Sequence, residues 1–198
     1  MGREAARLPV APLDRDRPLV EEARRDPARF EALYRKYLAQ VYSFAYYELG
    51  DHHDAEDATE RTFLQALAAL PRFQERADPE IDAAASTFRV WLFRIARNVV
   101  ANVRRERARR AGVPLDAAAS LPAPIDVEAT AAQRDEAARA WAVVARLPAD
   151  RRRAIVLRFV DEMSTAEIAA VLGRSEGAVR VLVHRALRAV ADELTRGR

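Results

Sequence analysis

The chain has 198 residues, half of them apolar, with few glycines, no cysteine and a formal net charge of only +3. That length suits one domain or two small ones, no run approaches the roughly 18 apolar residues of a membrane span, and the lack of cysteine excludes disulfides and thiolate metal sites. Met1 to Arg17 contains no continuous apolar stretch, so no secretory signal is read and a cytoplasmic location is expected.

In chain order, residues 1–25 carry Pro9, Pro12 and Pro18 among polar residues and are expected to form a flexible leader. Asp26-Pro27 reads as a helix start, and Phe30, Leu33, Tyr34, Tyr37, Leu38, Val41 and Tyr42 recur at helical spacing until Gly50. A second helix begins at Asp51 to Asp54, carries Ala55, Ala58, Thr62, Phe63 and Leu67 on one side, and stops before Pro71. A polar connection over 71–85 leads to Ser86, the expected cap of a third helix. Its apolar arc is Phe88, Leu92, Ile95, Val99 and Val103. Residues 111–125, or to about 132, read as a linker, with Pro114, Pro122 and Pro124 among alanines. From 126 the helical pattern resumes with Ala138, Trp141, Val144 and Leu147. Asp150 is the expected cap of a short helix, and Ser164-Thr165-Ala166-Glu167 forms a capping box. Gly173 then separates two helices, the second capped by Ser175. The expected fold is all-α: a helical domain over 26–110, the linker, and a second helical domain over 126–198.

Charge is segregated along this pattern. Residues 48–60 hold Glu48, Asp51, Asp54, Glu56, Asp57 and Glu60 with no lysine or arginine, whereas Arg89, Arg94, Arg97, Arg104, Arg105, Arg107, Arg109 and Arg110 face only Glu106. One surface thus suits a basic partner and another a polyanion. On the last helix Val179, Leu182, Val183, Ala186, Leu187 and Val190 share one arc, and Arg180, Val181, His184, Arg185 and Arg188 the opposite one. A helix-turn-helix whose second helix bears arginines near its start can enter a major groove. The alternative is an ordinary solvated arginine face, which leaves the apolar Val181 without a reason. On the third helix, Trp91, Arg94, Arg97, Asn98, Asn102, Arg104 and Arg105 combine phosphate-binding cations with aromatic and amide groups able to hold an unstacked base. Taken alone, Trp91 reads better as a core residue.

Phe30-Glu31-Ala32-Leu33-Tyr34, Asp54-Ala55-Glu56-Asp57, Thr62-Phe63 and Trp91-Leu92-Phe93-Arg94-Ile95-Ala96-Arg97-Asn98 resemble region 2 of the extracytoplasmic-function (ECF) sigma factors, small two-domain members of the sigma-70 family. Leu147-Pro148, Arg158-Phe159, Ala166-Glu167-Ile168-Ala169, Leu172-Gly173, Val179-Arg180 and His184-Arg185-Ala186 resemble region 4. The resemblance covers about 30–195, in order. It implies a transcription initiation factor that recognises and melts promoter DNA. Asp54, Glu56, Asp57, Glu60 and Arg61 would contact core RNA polymerase at the clamp helices, with the flap as a further polymerase contact. Trp91, Arg94, Arg97, Asn98, Asn102, Arg104 and Arg105 would act at the start-proximal element. Ser175, Glu176, Arg180, Val181, His184, Arg185 and Arg188 would act at the upstream element. An anti-sigma protein is the further partner implied. The chain departs from the family's usual residues at Glu60-Arg61, where Gln-Glu is common, near Asn102, which lacks the frequent acidic neighbour, and at Val181-Leu182, where Ser and Arg are common.

Two other classes compete. A stand-alone helix-turn-helix regulator would share the C-terminal motif but needs no acidic helix followed by a basic aromatic one. A metal-dependent phosphohydrolase is suggested by His52-His53-Asp54 with Glu56 and Asp57, but the remaining histidine, His184, lies in the distant second domain. The simpler reading is a polar loop leading into an acidic helix start. No catalytic residue, metal ligand or cofactor is therefore expected.

Overall fold

The computed structural model describes residues 14–111 and 131–196. The chain is all-α, in two small helical domains. The first set of helices is α1 (Arg17–Arg25), α2 (Phe30–Leu49), α3 (His52–Ala69) and α4 (Phe88–Ala111). The second is α5 (Ala131–Arg146), α6 (Ala149–Phe159), α7 (Thr165–Leu172) and α8 (Glu176–Arg196). The expected linker and the expected start of the second domain lie mostly outside the described residues.

In the first set, α2, α3 and α4 pack pairwise around Leu33, Tyr37, Phe44, Ala58, Phe63, Phe88, Leu92 and Phe93. Gly50 ends α2 in the left-handed conformation (φ 67°), and the Asp51 side chain accepts a hydrogen bond from Asp54 N, which caps α3. That bond holds the Asp51 carboxyl below its ordinary pKa. Two sequence expectations change here. Residues 17–25 of the expected leader form α1, which buries Val20 and Ala23 against the core, while 1–13 lie outside the described residues. Asp16 is also buried. It pairs with Lys36 Nζ at 2.5 Å and accepts from the Tyr37 hydroxyl, which also donates to Asp14. Asp26-Pro27 starts a short 3₁₀ turn, Pro27–Arg29, rather than α2 itself.

In the second set the capping box is complete: Ser164 Oγ accepts from Glu167 N at 3.2 Å, and Glu167 Oε2 accepts from Ser164 N at 2.9 Å. Asp150 is not the cap of α6, whose preceding residue is Pro148; it lies in the first turn and pairs with Arg153 and Arg174. Gly173 (φ 67°) makes the turn between α7 and α8, and Ser175 Oγ accepts from Ala178 N at 3.2 Å. Val179 and Ala186 anchor α8, whereas Leu187, expected on the apolar arc, is exposed.

The two sets also pack on each other. α4 lies along α7, α2 touches α6, and Tyr47 of α2 meets Trp141 of α5 with ring centroids 4.8 Å apart.

Candidate nucleic-acid interface

α8 leaves its arginine-bearing face open. Ser175, Arg180, Val181, His184, Arg185 and Arg188 are all exposed, and Glu176 pairs loosely with Arg180 at 3.4 Å, one turn along. Val181 is 47% exposed, so no core claims its methyls. The Gly173 turn and the buried Val179 together fix how this face is presented.

α4 is organised from the connection that precedes it. Glu75 accepts from Ser86 Oγ (2.5 Å), from Thr87 N and Oγ1 (both 2.8 Å), and from Arg76 N and Ala77 N. Burial opposes ionisation of Glu75, but these hydrogen bonds outweigh it and hold its carboxyl below the ordinary range. Ser86 Oγ in turn accepts from Phe88 N at 3.0 Å, one residue before Thr87, whose carbonyl takes the first helical bond, from Trp91 N. Trp91 is half-buried against Phe73 and Phe88, at 5.1 and 5.5 Å, so it is both a packing residue and partly accessible.

The seven residues expected on the basic face of α4 divide. Asn98, Asn102 and Arg105 are exposed, and Arg105 donates to Asn102 Oδ1 at 2.5 Å. Arg94 Nε donates to Ala170 O at 2.8 Å and Arg97 Nη1 to Val171 O at 2.7 Å, both carbonyls of α7. Arg104 is a correction: it turns inward and pairs with the buried Glu48 at 3.6 Å, so its charge serves the interior.

The acidic block also divides. Glu48 belongs to the interior, where Arg153 bonds it at 2.9 Å and Arg152 approaches to 3.8 Å. Asp54 faces Arg107 at 3.4 Å and Arg61 faces Glu106 at 3.5 Å, which softens the acidity of that edge. Glu56 and Glu60 remain exposed beside a groove of about 360 Å³ lined by Tyr34, Leu38, Tyr42, Phe63 and Leu64. An apolar floor with an acidic rim can take a basic amphipathic helix. Periodicity did not reveal this groove: it counts Tyr34 and Leu38 on the apolar side of α2, whereas the structure leaves both exposed, with Leu64 of α3 beside them. His52 stacks on Tyr46 at 4.3 Å and its Nδ1 lies 2.6 Å from the Tyr42 hydroxyl. Among the described residues no cluster of three or more histidine, aspartate or glutamate side chains could hold a metal.

The sequence model described as Sigma-70 region 2 matches residues 33–110, and that described as Sigma-70, region 4 matches 138–190. The ECF RNA polymerase sigma factor BldN of Streptomyces coelicolor is 34% identical over 192 residues, covering 93% of this chain and 69% of that relative. The chain belongs to the ECF sigma factors. Another relative of this sigma factor, ECF sigma factor SigD of Mycobacterium tuberculosis, is 34% identical over 144 residues, and the chain spans 63% of its length. Among solved structures, CnrH in complex with the cytosolic domain of CnrY superposes with a TM-score of 0.63 at 27% identity, covering 92% of this sigma factor and 99% of CnrH.

Proposed function

We propose that this ECF sigma factor binds core RNA polymerase and directs it to promoters, in the cytoplasm and without catalysing a reaction itself. Among the described residues, 26–110 form the region 2 unit, with α1 packed on it, and 131–196 belong to the region 4 unit. The acidic-rimmed groove of α2 and α3, with Asp54, Glu56, Asp57, Glu60 and Arg61, docks on the clamp helices, and the region 4 unit meets the flap. α4 and the Glu75-braced connection act on the start-proximal element: Arg94, Arg97 and Arg105 hold phosphates while Trp91, Asn98 and Asn102 take an unpaired base. α8 reads the upstream element through Arg180 and Val181, flanked by Ser175, Glu176, His184, Arg185 and Arg188. An anti-sigma protein is its second class of protein partner; CnrH likewise holds a protein partner, the cytosolic domain of CnrY.

The observation that carries this reading is the open face of α8, arginines and an exposed valine presented just after a glycine turn, in a chain of this family. The test is promoter opening by reconstituted holoenzyme carrying Asn98→Ala or Trp91→Ala. Both should form closed complexes and open duplex promoter poorly, with partial rescue on a pre-melted template. Normal opening by folded Asn98→Ala and Trp91→Ala holoenzymes would remove α4 from melting. Tight, specific duplex binding by the free chain at near-physiological salt would favour a stand-alone regulator instead.

A further inference from the structure

Two of the α4 arginines assigned to phosphates are already engaged within the chain. The turn after α7 closes on Ala169 O, which accepts from both Gly173 N and Arg174 N. The next two carbonyls, Ala170 O and Val171 O, accept from Arg94 and Arg97 at 2.8 and 2.7 Å. A helix C-terminus concentrates carbonyl oxygens and the negative end of the helix dipole. It therefore offers a guanidinium much of what a phosphate offers. Arg89, one turn earlier on α4, extends the row by donating to Asp161 O in the α6–α7 loop.

A buried carboxylate of α2 lies at the centre of this arrangement, alongside a second ion pair between the halves, Arg89 of α4 with Glu167 of α7 at 3.8 Å. Glu48, at the C-terminal end of α2, is 4% exposed and is approached by Arg104 of α4 and by Arg152 and Arg153 of α6. Arginines of both halves converge on it. Around it the closed arrangement crowds positive charge: burial, and after it the neighbouring Arg153 and Arg94, lower the Arg97 pKa. Such a clasp depends on Glu48, and a polyanion competes for the same arginines.

We propose that the two halves of the free chain clasp each other in a self-masked state, in which the C-terminus of α7 occupies the strand-binding arginines of α4 and Glu48 is the latch. This rests on the assignment of α4 to single-stranded DNA. The mask is selective. α8 keeps its reading face exposed while closed, so duplex contact by α8 precedes single-strand capture by α4, and α4 becomes available when the halves part.

The absence of cysteine allows paired dyes at Gln65→Cys and Ala191→Cys, exposed positions on α3 and α8. Energy transfer in the full-length chain is measured alongside the affinity for a mixed-sequence single-stranded oligonucleotide. Glu48→Gln removes the latch charge, and Arg153→Ala loosens the same pair from the other half should Glu48→Gln lose helicity. If the open form is about a tenth of the parent population, release raises single-strand affinity about tenfold. The expected result is lower energy transfer and tighter binding in the folded variant, with the gain abolished by adding Arg94→Ala and Arg97→Ala. Unchanged energy transfer in both folded variants would overturn the latch. Opening without a gain in affinity, while the two alanines still impair promoter melting by holoenzyme, would overturn the masking and leave the α4 assignment standing. If those alanines leave melting intact, the α4 assignment itself falls.

Discussion

At the residue scale, Arg180, Val181 and Arg188 share an exposed face but differ in what they can offer DNA. Arg180 and Val181 lie in the first turns of α8, the part that reaches base edges in helix-turn-helix docking. Arg180 can form paired hydrogen bonds to guanine, worth about 1–3 kcal/mol of discrimination, and the Val181 methyls can pack on a thymine methyl. Arg188 lies about two turns further on, where the helix leaves the groove. In a selection from randomised upstream elements, holoenzymes with Arg180→Ala or Val181→Ser should change preference at one or two positions. Arg188→Ala should weaken all sequences alike and lower the salt slope by about one phosphate. A changed sequence preference with Arg188→Ala but not with Arg180→Ala would reverse the orientation of α8 on DNA. On α3, Glu60→Arg places a cation at the rim of the α2–α3 groove and should weaken competition for core polymerase with helicity unchanged. Undiminished competition would move the docking site elsewhere.

At the scale of an element, α4 depends on a carboxylate outside it. Glu75 gathers the Thr87 backbone and both hydroxyls at the helix start, so one side chain sets both the path of the 73–87 connection and the first turn. Hydrogen bonds to a charged acceptor are worth about 1.5–3 kcal/mol each when retained in the fold, although exposure of part of this network reduces the total. Glu75→Ala should lower thermal stability and slow promoter opening, because Trp91 is positioned by Phe73 within the same connection. Opening at the parental rate despite lower stability would separate the connection from melting. The lowered Glu75 pKa implies that its contribution is present above the ordinary carboxylate range and is lost as pH falls through the folded value.

At the scale of the whole molecule, packing of the two halves buries Asp161 to 1% exposure, with neither carboxylate oxygen hydrogen-bonded among the described residues. Around it stand Asp14 before α1, Lys36, Gln40 and Tyr47 of α2, Arg89 of α4, Arg158 of α6, the loop's Glu162, and Glu167 of α7. Burial pushes the Asp161 carboxyl up to about 8, against a smaller opposing pull from Arg89. The folded chain therefore holds a proton that the unfolded chain gives up near pH 4. Its stabilisation is complete below that value, declines as pH rises, and is gone above about 8. Thermal unfolding between pH 5 and 9 should show falling stability in the parent and a flatter profile in Asp161→Asn. Equal slopes would place the proton elsewhere.

The sequence by itself determined the helices after α1, their order and most of their ends. Glycine at 50 and 173, Ser86, Ser164 with Glu167, and Ser175 act through bonds to residues a few positions away, and such local chemistry can be read along the chain. It also determined the outward face of α8, since Val179 and Ala186 set the buried side and Val181 must then point away. Tertiary structure decided what the charges do. Glu48 and Arg104 fall in an acidic and a basic run that read as two surfaces, yet they meet each other and the arginines of α6, about a hundred residues away, in the interior. The ordering of Asp14 and Asp16 likewise waits on Lys36 and Tyr37. Helical periodicity reports which side of one helix is apolar, but a charged side chain's partner is set by which helices come together, and that choice is made only when the chain packs.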